Sequence, residues 1–221
     1  MTARFVIPAD DSWPTALDAL GDAAPLGIWV RGTGDLPALS SRAIAVTGNR
    51  HATDRAKSRA ALIAGDLAAA GHTVTASLAY GIDTAAHTGA HLVPAPTIAV
   101  LPCGLDLCHP HDYGDVLRAA DTGGAAVSVY PPGTPASRVT LRTTAQLIAA
   151  LSTAVVLVEV IARNPAMEAA DTAHQLGRPV LVLPPGEPGG PYSTGTAQLL
   201  ELGRARPVLD ADDILIAIGL R

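Results

Sequence analysis

The run Ala43-Ile44-Ala45-Val46-Thr47-Gly48-Asn49-Arg50-His51-Ala52-Thr53 decides the fold. Its first five residues carry no charge and stop at Gly48, which suits a strand buried on both faces of a parallel sheet. Thr53 has the character of a helix N-cap. Behind it Ala60, Ile63, Ala64 and Leu67 recur at helical spacing, and Gly71 supplies the stop. Strand, short loop and helix in that order open a crossover unit.

The unit recurs outward from there. Strands are expected at 73–76, 97–101, 125–129, 154–158 and 180–183, separated by helices at 82–92, 113–120, 140–151 and 166–176. This alternation predicts an α/β fold, a doubly wound, mostly parallel, extended Rossmann-like sheet with helices on both faces. Residues 1–40 differ, with Trp13-Pro14, an amphipathic piece around Leu17 and Leu20, and the strand-like Gly27-Ile28-Trp29-Val30. They are expected to be an N-terminal extension packed on the sheet of the domain formed by 41–221, giving a single structural domain overall. Asp210 to Leu220 reads as a closing helix. A chain of 221 residues fits one such domain, and its 21 Gly and 18 Pro are scattered as turn punctuation.

No apolar run has the length of a membrane span and the start has no signal-peptide core, so a cytoplasmic protein is expected. Cys103 and Cys108 are too few for a disulfide framework. With His109 and His111 they crowd one loop, yet zinc-type paired spacing is missing, and no metal site is assigned. A net charge of −5 argues against coating duplex DNA by bulk electrostatics. The charge is unevenly spread, however. Arg42, Arg50, Arg55, Lys57 and Arg59 fall close together with Asp54 as the one acid among them.

Two loops carry the candidate chemistry. In a doubly wound sheet the loop after the first parallel strand lies at the carboxyl edge, where ligands bind. There Gly48 permits close backbone approach, Asn49 and Thr53 flank a helix N-terminus with free N–H groups, and Arg50 can fork onto a phosphate. Arg55, Lys57 and Arg59 lie in the first turns of the helix, at the unfavourable end of its dipole, which points to a nearby anion. The competing reading is a solvated basic face. The loop has neither the spacing of GxGxxG nor a Walker lysine, so no cofactor is implied. In the second loop, Ala76-Ser77-Leu78-Ala79-Tyr80-Gly81-Ile82-Asp83, Tyr80 could stack a base, while Asp83 reads first as a helix cap or first-turn acid. His87 and His91, four apart, lack a third ligand and read as surface or subunit-contact histidines.

Taken in order these residues resemble the DprA/Smf family of DNA-processing proteins. Gly48-Asn49-Arg50 is similar to the family's first-loop Gly-Ser-Arg. Ala76 to His87 is similar to its Ser-Gly-Leu-Ala-x-Gly-Ile-Asp-x-x-Ala-His run. Further likeness lies in Ile98 to Asp106, Tyr130-Pro131-Pro132-Gly133-Thr134-Pro135, Leu147 to Ser152, Ser193-Thr194-Gly195-Thr196, and the early Trp13-Pro14 with Trp29-Val30-Arg31-Gly32. The resemblance implies a Rossmann-like domain that binds and protects single-stranded DNA, without catalysis. It also implies a homodimer that helps load a RecA-type recombinase in recombination and natural transformation, with no membrane partner. On that basis Gly48, Asn49, Arg50, Thr53, Arg55, Lys57, Ser77, Tyr80, Gly81, Asp83, Arg138, Arg142, Gln146, Gly195 and Thr196 are the candidate strand-binding residues.

The chain departs from the pattern in three places. Thr144-Ala145-Gln146 stands where the family has Arg-Asn-Arg, and Asn164-Pro165-Ala166 where it has Ser-Gly-Ser. The resemblance is to the family's Rossmann-like domain alone, without the helical module in front or the winged helix behind. Two other classes compete. One is a nucleotide sensor or nucleotide N-glycosidase related to cytokinin-activating enzymes, for which Pro188-Gly189-Gly190, Gly195-Thr196 and Glu201 form a split motif and Glu159 is the carboxylate to test. The other is a silent assembly protein with a vestigial pocket.

Overall fold

The computed structural model describes residues 2–184 and 190–220. The chain begins with β1 (Arg4–Val6), a 3-10 segment at Thr15–Ala23, β2 (Ile28–Arg31) and α1 (Leu36–Ser40). β3 (Ala43–Gly48), α2 (Asp54–Ala69), β4 (Thr73–Ala76), α3 (Ile82–His91), β5 (Thr97–Val100), α4 (Gly114–Asp121) and β6 (Ala125–Ser128) follow. The rest comprises α5 (Arg138–Ala150), β7 (Ala154–Val158), α6 (Pro165–Gln175), β8 (Val180–Leu183), α7 (Thr194–Glu201), β9 (Arg206–Pro207) and α8 (Ala211–Ala217). Among the described residues these strands form one nine-stranded sheet in the order β1-β2-β6-β5-β4-β3-β7-β8-β9. β6 to β9 in that order are parallel; β2 adds antiparallel to β6, and β1 antiparallel to β2.

The doubly wound fold predicted from the apolar alternation is the observed one. Every residue of β4, β5, β6, β7 and β8 is buried because helices cover both faces. On one face Ile63 and Leu67 of α2 and Ile82 of α3 pack on Ile44, Val46 and Val156, with Ile214 of α8 at the far side. On the other, Leu147 and Leu151 from α5 and its end and Ala169 of α6 meet Ala45, Val155 and Leu157, and Trp13 and Leu17 join this layer. With few aromatic residues to fill space, the layers close by approaching tightly. α2 and α3 come so near that a side chain at Gly89 would run into the Ala61 carbonyl oxygen.

Local signals fix the element ends. Thr53 caps α2 by accepting the Ala56 N–H at 3.2 Å, and Gly71 leaves the helix with φ +88°. Asp210 caps α8 through the Asp213 N–H at 2.9 Å. The first forty residues join the sheet at the β6 edge, where Arg31 Nε pairs with Asp121 at 3.0 Å. Among the described residues no helix is long and apolar enough to cross a membrane.

Candidate nucleic-acid interface

The neighbours β3 and β7 lead in opposite directions, β3 to β4 on one side and β7 to β8 on the other. Loops leaving their carboxyl ends therefore part, and a crevice opens between them. The 49–53 and 159–164 loops wall it. The 77–81 loop lies alongside, since the Ile82 N–H donates to the Asn49 carbonyl oxygen at 3.2 Å. The two loops singled out in the sequence are thus neighbours at one edge. Gly81 allows the approach: its φ is +85°, and a side chain there would collide with the carbonyl oxygens of Asn49 and Arg50.

Asn49 points inward. It is 2% exposed. Its Oδ1 accepts from the Ile161 N–H at 3.0 Å and from Asn164 Nδ2 at 3.1 Å, and its Nδ2 donates to the Tyr192 carbonyl oxygen at 2.8 Å. Both acceptor sites of the amide are spent on protein, so Asn49 ties the crevice walls together and its carbonyl has nothing left to offer a strand. Arg50 points outward. Its guanidinium lies 4.8 Å from the Tyr80 ring centre, and Tyr80 Oη donates to Asp112 Oδ2 at 2.8 Å. Cation and aromatic ring together make a plate that suits a phosphate beside a stacked base.

The helix N-terminus expected to be free is partly engaged. Glu159 turns its carboxylate onto it, taking the Thr53 N–H at 2.7 Å and the Thr53 hydroxyl at 2.8 Å. The anion that the basic first turns of α2 called for is therefore supplied from within the chain, by the residue following β7. Both oxygens of the proposed catalytic carboxylate are engaged in this cap. The basic run also divides. Lys57 lies on the side of Arg50 and Tyr80 and pairs with Asp54 at 2.6 Å, whereas Arg55 and Arg59 line a cavity on the other side with Glu159 and Leu183. Arg59 is tied to the Pro184 carbonyl oxygen at 3.0 Å.

Beneath the Arg50 loop, Asp83 is 4% exposed and joins three elements. Its Oδ1 accepts the Thr47 hydroxyl at 2.7 Å. Its Oδ2 accepts the Ser77 N–H at 3.1 Å and a short hydrogen bond from the Ser77 hydroxyl. Burial pushes this carboxyl above the usual range, and the Ser77 and Thr47 hydrogen bonds pull against that rise. The first-turn reading of Asp83 holds, with the added role of tying β3 and β4 to α3.

Of the α5 candidates, Arg138 is exposed at the first turn, while Arg142 Nε pairs with Glu168 of α6 at 3.0 Å. Gln146 Nε2 donates to the other oxygen of the same glutamate at 2.9 Å. Thr144 is buried and its hydroxyl donates to the Thr140 carbonyl oxygen at 2.9 Å. Gly195 and Thr196 spend their N–H groups on the Val160 carbonyl oxygen at 2.8 and 3.1 Å, and Thr196 is fully buried. Pro188 and Gly189 of the split motif lie outside the described residues. Sequence reading missed Glu168, Asp112 and Asn164, although Asn164-Pro165 carries a helix-start signal: Asn164 caps α6 through the Ala166 N–H at 2.8 Å.

The histidines of α3 need correcting. His87 is fully buried, not a surface residue, with Nδ1 3.0 Å from Thr97 Oγ1; His91 Nε2 lies 3.1 Å from the same hydroxyl. Burial, helped by His91, lowers the His87 pKa to about 4. Burial likewise raises the Cys103 thiol to about 11. Among the described residues no group of three His, Cys, Asp or Glu side chains is placed to hold a metal ion.

The family model for DNA recombination-mediator protein A matches residues 4–219. The putative DNA processing protein DprA of Mycobacterium tuberculosis is 36% identical over 226 residues, covering 98% of this chain and 58% of that protein. The chain spans little more than half the length of the curated relatives it first matches. The X-ray structure of DNA processing protein A from Streptococcus pneumoniae superposes with a TM-score of 0.88 at 26% identity, covering 98% of this chain and 74% of that one. A second structure, of DNA processing protein A from Helicobacter pylori, gives 0.85 at 25% identity over 97% of this chain and 95% of that one; its subject is a single-stranded DNA binding mode.

Proposed function

Because the chain belongs to the DNA recombination-mediator protein A family, we propose that it binds single-stranded DNA at the carboxyl edge of β3 and β4 and acts as a binder, not a catalyst. The Arg50–Tyr80 plate is the observation that carries this reading: an exposed guanidinium stacked on an aromatic ring, beside an open groove that also receives His51, Lys57 and Thr88. Phosphates along a strand meet the cations while bases stack on the ring, and neither contact requires a particular sequence. The Helicobacter pylori relative, whose reported subject is single-stranded DNA binding, supports it. Within the candidate set Arg50, Tyr80, Lys57, Arg138 and Arg142 face the strand; Gly48, Asn49, Thr53, Ser77, Gly81, Asp83, Gly195 and Thr196 shape the edge from behind. Arg55 and Gln146 stand at its margins. The engagement of Glu159 in the α2 cap weighs against base hydrolysis.

We further propose the finer role of a homodimer that delivers a RecA-type recombinase to the strand, a reading that the likeness to the family supports. Most apolar side chains of the stretch 147–183 are core, so they offer little to a dimer face. Exposed Leu202, Leu209, Ile216 and Leu220 near the C-terminal edge are better candidates. Sedimentation is expected to give a species near twice 22.4 kDa, and a monomer at high micromolar concentration contradicts the dimer. Fluorescence anisotropy with labelled single-stranded and duplex oligonucleotides across a salt series tests the binding reading. A single strand should win over duplex at each salt, and free nucleotides should compete poorly.

A further inference from the structure

Across the α2 N-terminus from the Arg50 groove lies a separate space that the Arg50–Tyr80 plate does not use. It is a cavity of about 330 Å³ between the first two turns of α2, the carboxyl ends of β7 and β8, and residues 190–193. Val158, Leu183, Pro184 and Pro191 give it apolar walls, and Arg55 and Arg59 face it from α2. Tyr192 borders both this cavity and the groove. A cavity of about 150 Å³ holds one benzene ring, and small-molecule sites begin at about 300 Å³. The space therefore has room for a ring with a substituent.

The charge in this space is unbalanced. Arg55 and Arg59 sit one helical turn apart, so two like charges share one face at the positive end of α2. Burial, and after it the charge of Arg55, hold the Arg59 guanidinium below its usual range. Among the described residues neither arginine is paired with an acid. Glu159, the acid in the lining, has both oxygens on Thr53. Arg59 is also fixed in place. It donates to the Pro184 carbonyl oxygen at 3.0 Å and to that of Leu209 at 3.4 Å, which leaves three of its five N–H donors uncommitted among the described residues. A placed guanidinium with a second cation beside it suits an anion of more than one charge.

We infer that the cavity is a nucleotide site, taking a nucleoside monophosphate whose ring lies against the apolar walls and whose terminal phosphate is clamped by Arg55 and Arg59. A phosphomonoester carries close to two negative charges at pH 7 and three acceptor oxygens, which matches two guanidinium groups. A diester inside a strand carries one charge and matches them poorly. The same chemistry reaches the cavity from two sources, a free nucleotide or the phosphorylated end of a strand that lies in the groove and turns over Tyr192. Only the second source rests on the DNA-binding reading.

Calorimetry on the whole chain with deoxyadenosine 5′-monophosphate, its methyl ester, deoxyadenosine and inorganic phosphate tests the site. The monophosphate should bind about tenfold or more ahead of the other three, the worth of one charge-assisted contact, and should weaken as pH falls through about 6, where the phosphate gains a proton. Arg59→Gln should cost about tenfold. Should that variant fail to fold by circular dichroism, the exposed Arg55→Gln should cost a similar factor. Anisotropy with strands alike except for a 5′-phosphate or a 5′-hydroxyl separates the sources. A 5′-phosphate advantage that excess free monophosphate removes without displacing the strand supports the strand end, and equal strands beside a bound free monophosphate support the free nucleotide. Monophosphate affinity no better than that of deoxyadenosine or inorganic phosphate overturns the site, as does affinity unchanged in the folded arginine variants. Full displacement of the strand by the monophosphate places it on the Arg50 edge and overturns the site too. Strands that bind where no monophosphate does leave the DNA-binding reading intact and overturn the nucleotide site, whereas a bound monophosphate with no strand binding at any salt does the reverse.

Discussion

Among the described residues Arg50 has no acid partner and rests on the ring of Tyr80, which leaves its charge available to a phosphate. Arg50→Ala should weaken single-strand binding by about 1–2 kcal/mol, the worth of a charge-assisted contact. Far-UV circular dichroism should not change, since the backbone of this loop is held by Asn49 and Gly81 instead. Undiminished binding by the folded variant would remove Arg50 from the interface. His87 makes a different residue-scale prediction. Its pKa is about 4 in the fold against 6.5 unfolded, so the unfolded chain binds the extra proton between those values. Stability is full above pH 6.5 and is lost as pH falls toward 4, by roughly 2–4 kcal/mol. Asp83 and His91 also titrate abnormally but are common to wild type and variant. Comparing melting temperatures of wild type and His87→Gln from pH 7 to 4 therefore isolates the His87 contribution, and the wild type should fall more steeply. Parallel curves would place the acid sensitivity elsewhere.

At the scale of elements, α2 depends on a partner far away in sequence. Glu159 reaches the N-terminus of the helix 106 residues earlier, from a backbone with φ +51°. Removing both cap and charge with Glu159→Ala should cost about 1–2 kcal/mol, or a few degrees in Tm for a chain of this size. A nucleotide N-glycosidase would lose base release instead, and a Tm unchanged in the variant would sink the capping role. The same contact explains what was legible beforehand. Runs such as 43–47 and 154–158 announce strands because a strand covered on both faces admits little but apolar residues, and Thr53 and Gly71 mark helix ends because caps are local. β1 has three residues and α7 opens through Ser193-Thr194-Gly195-Thr196, so neither carries a periodic signal. Asn49 looks like a phosphate ligand by position, and Glu159 like a free carboxylate. Their partners lie more than a hundred residues off, and only the strand order that sets β3 beside β7 turns both inward.

On the scale of the whole molecule the net charge is −5, so affinity for a strand must come from a small number of local contacts. Arg50 and Arg138 are exposed without an acid partner among the described residues, and the Lys57–Asp54 and Arg142–Glu168 pairs are open enough for a phosphate to compete with the acid. Three to five contacts at roughly 0.7 each predict a slope of log affinity against log salt between about −2 and −3.5 for a single strand. Where the family carries two arginines, the fold treats the two positions here unequally. Thr144 is buried, so an arginine there would cost packing, whereas Gln146 is half-buried and, among the described residues, its side chain bonds only Glu168. Gln146→Arg alone should then steepen the slope by about 0.7 and tighten binding at low salt. Part of the gain will be offset by the new guanidinium pairing with Glu168, which already holds Arg142. Adding Glu168→Gln should release both arginines and steepen the slope again by a similar amount. Slopes that stay flat in both variants would mean that the strand does not pass over α5 and that the Arg50–Tyr80 edge binds alone.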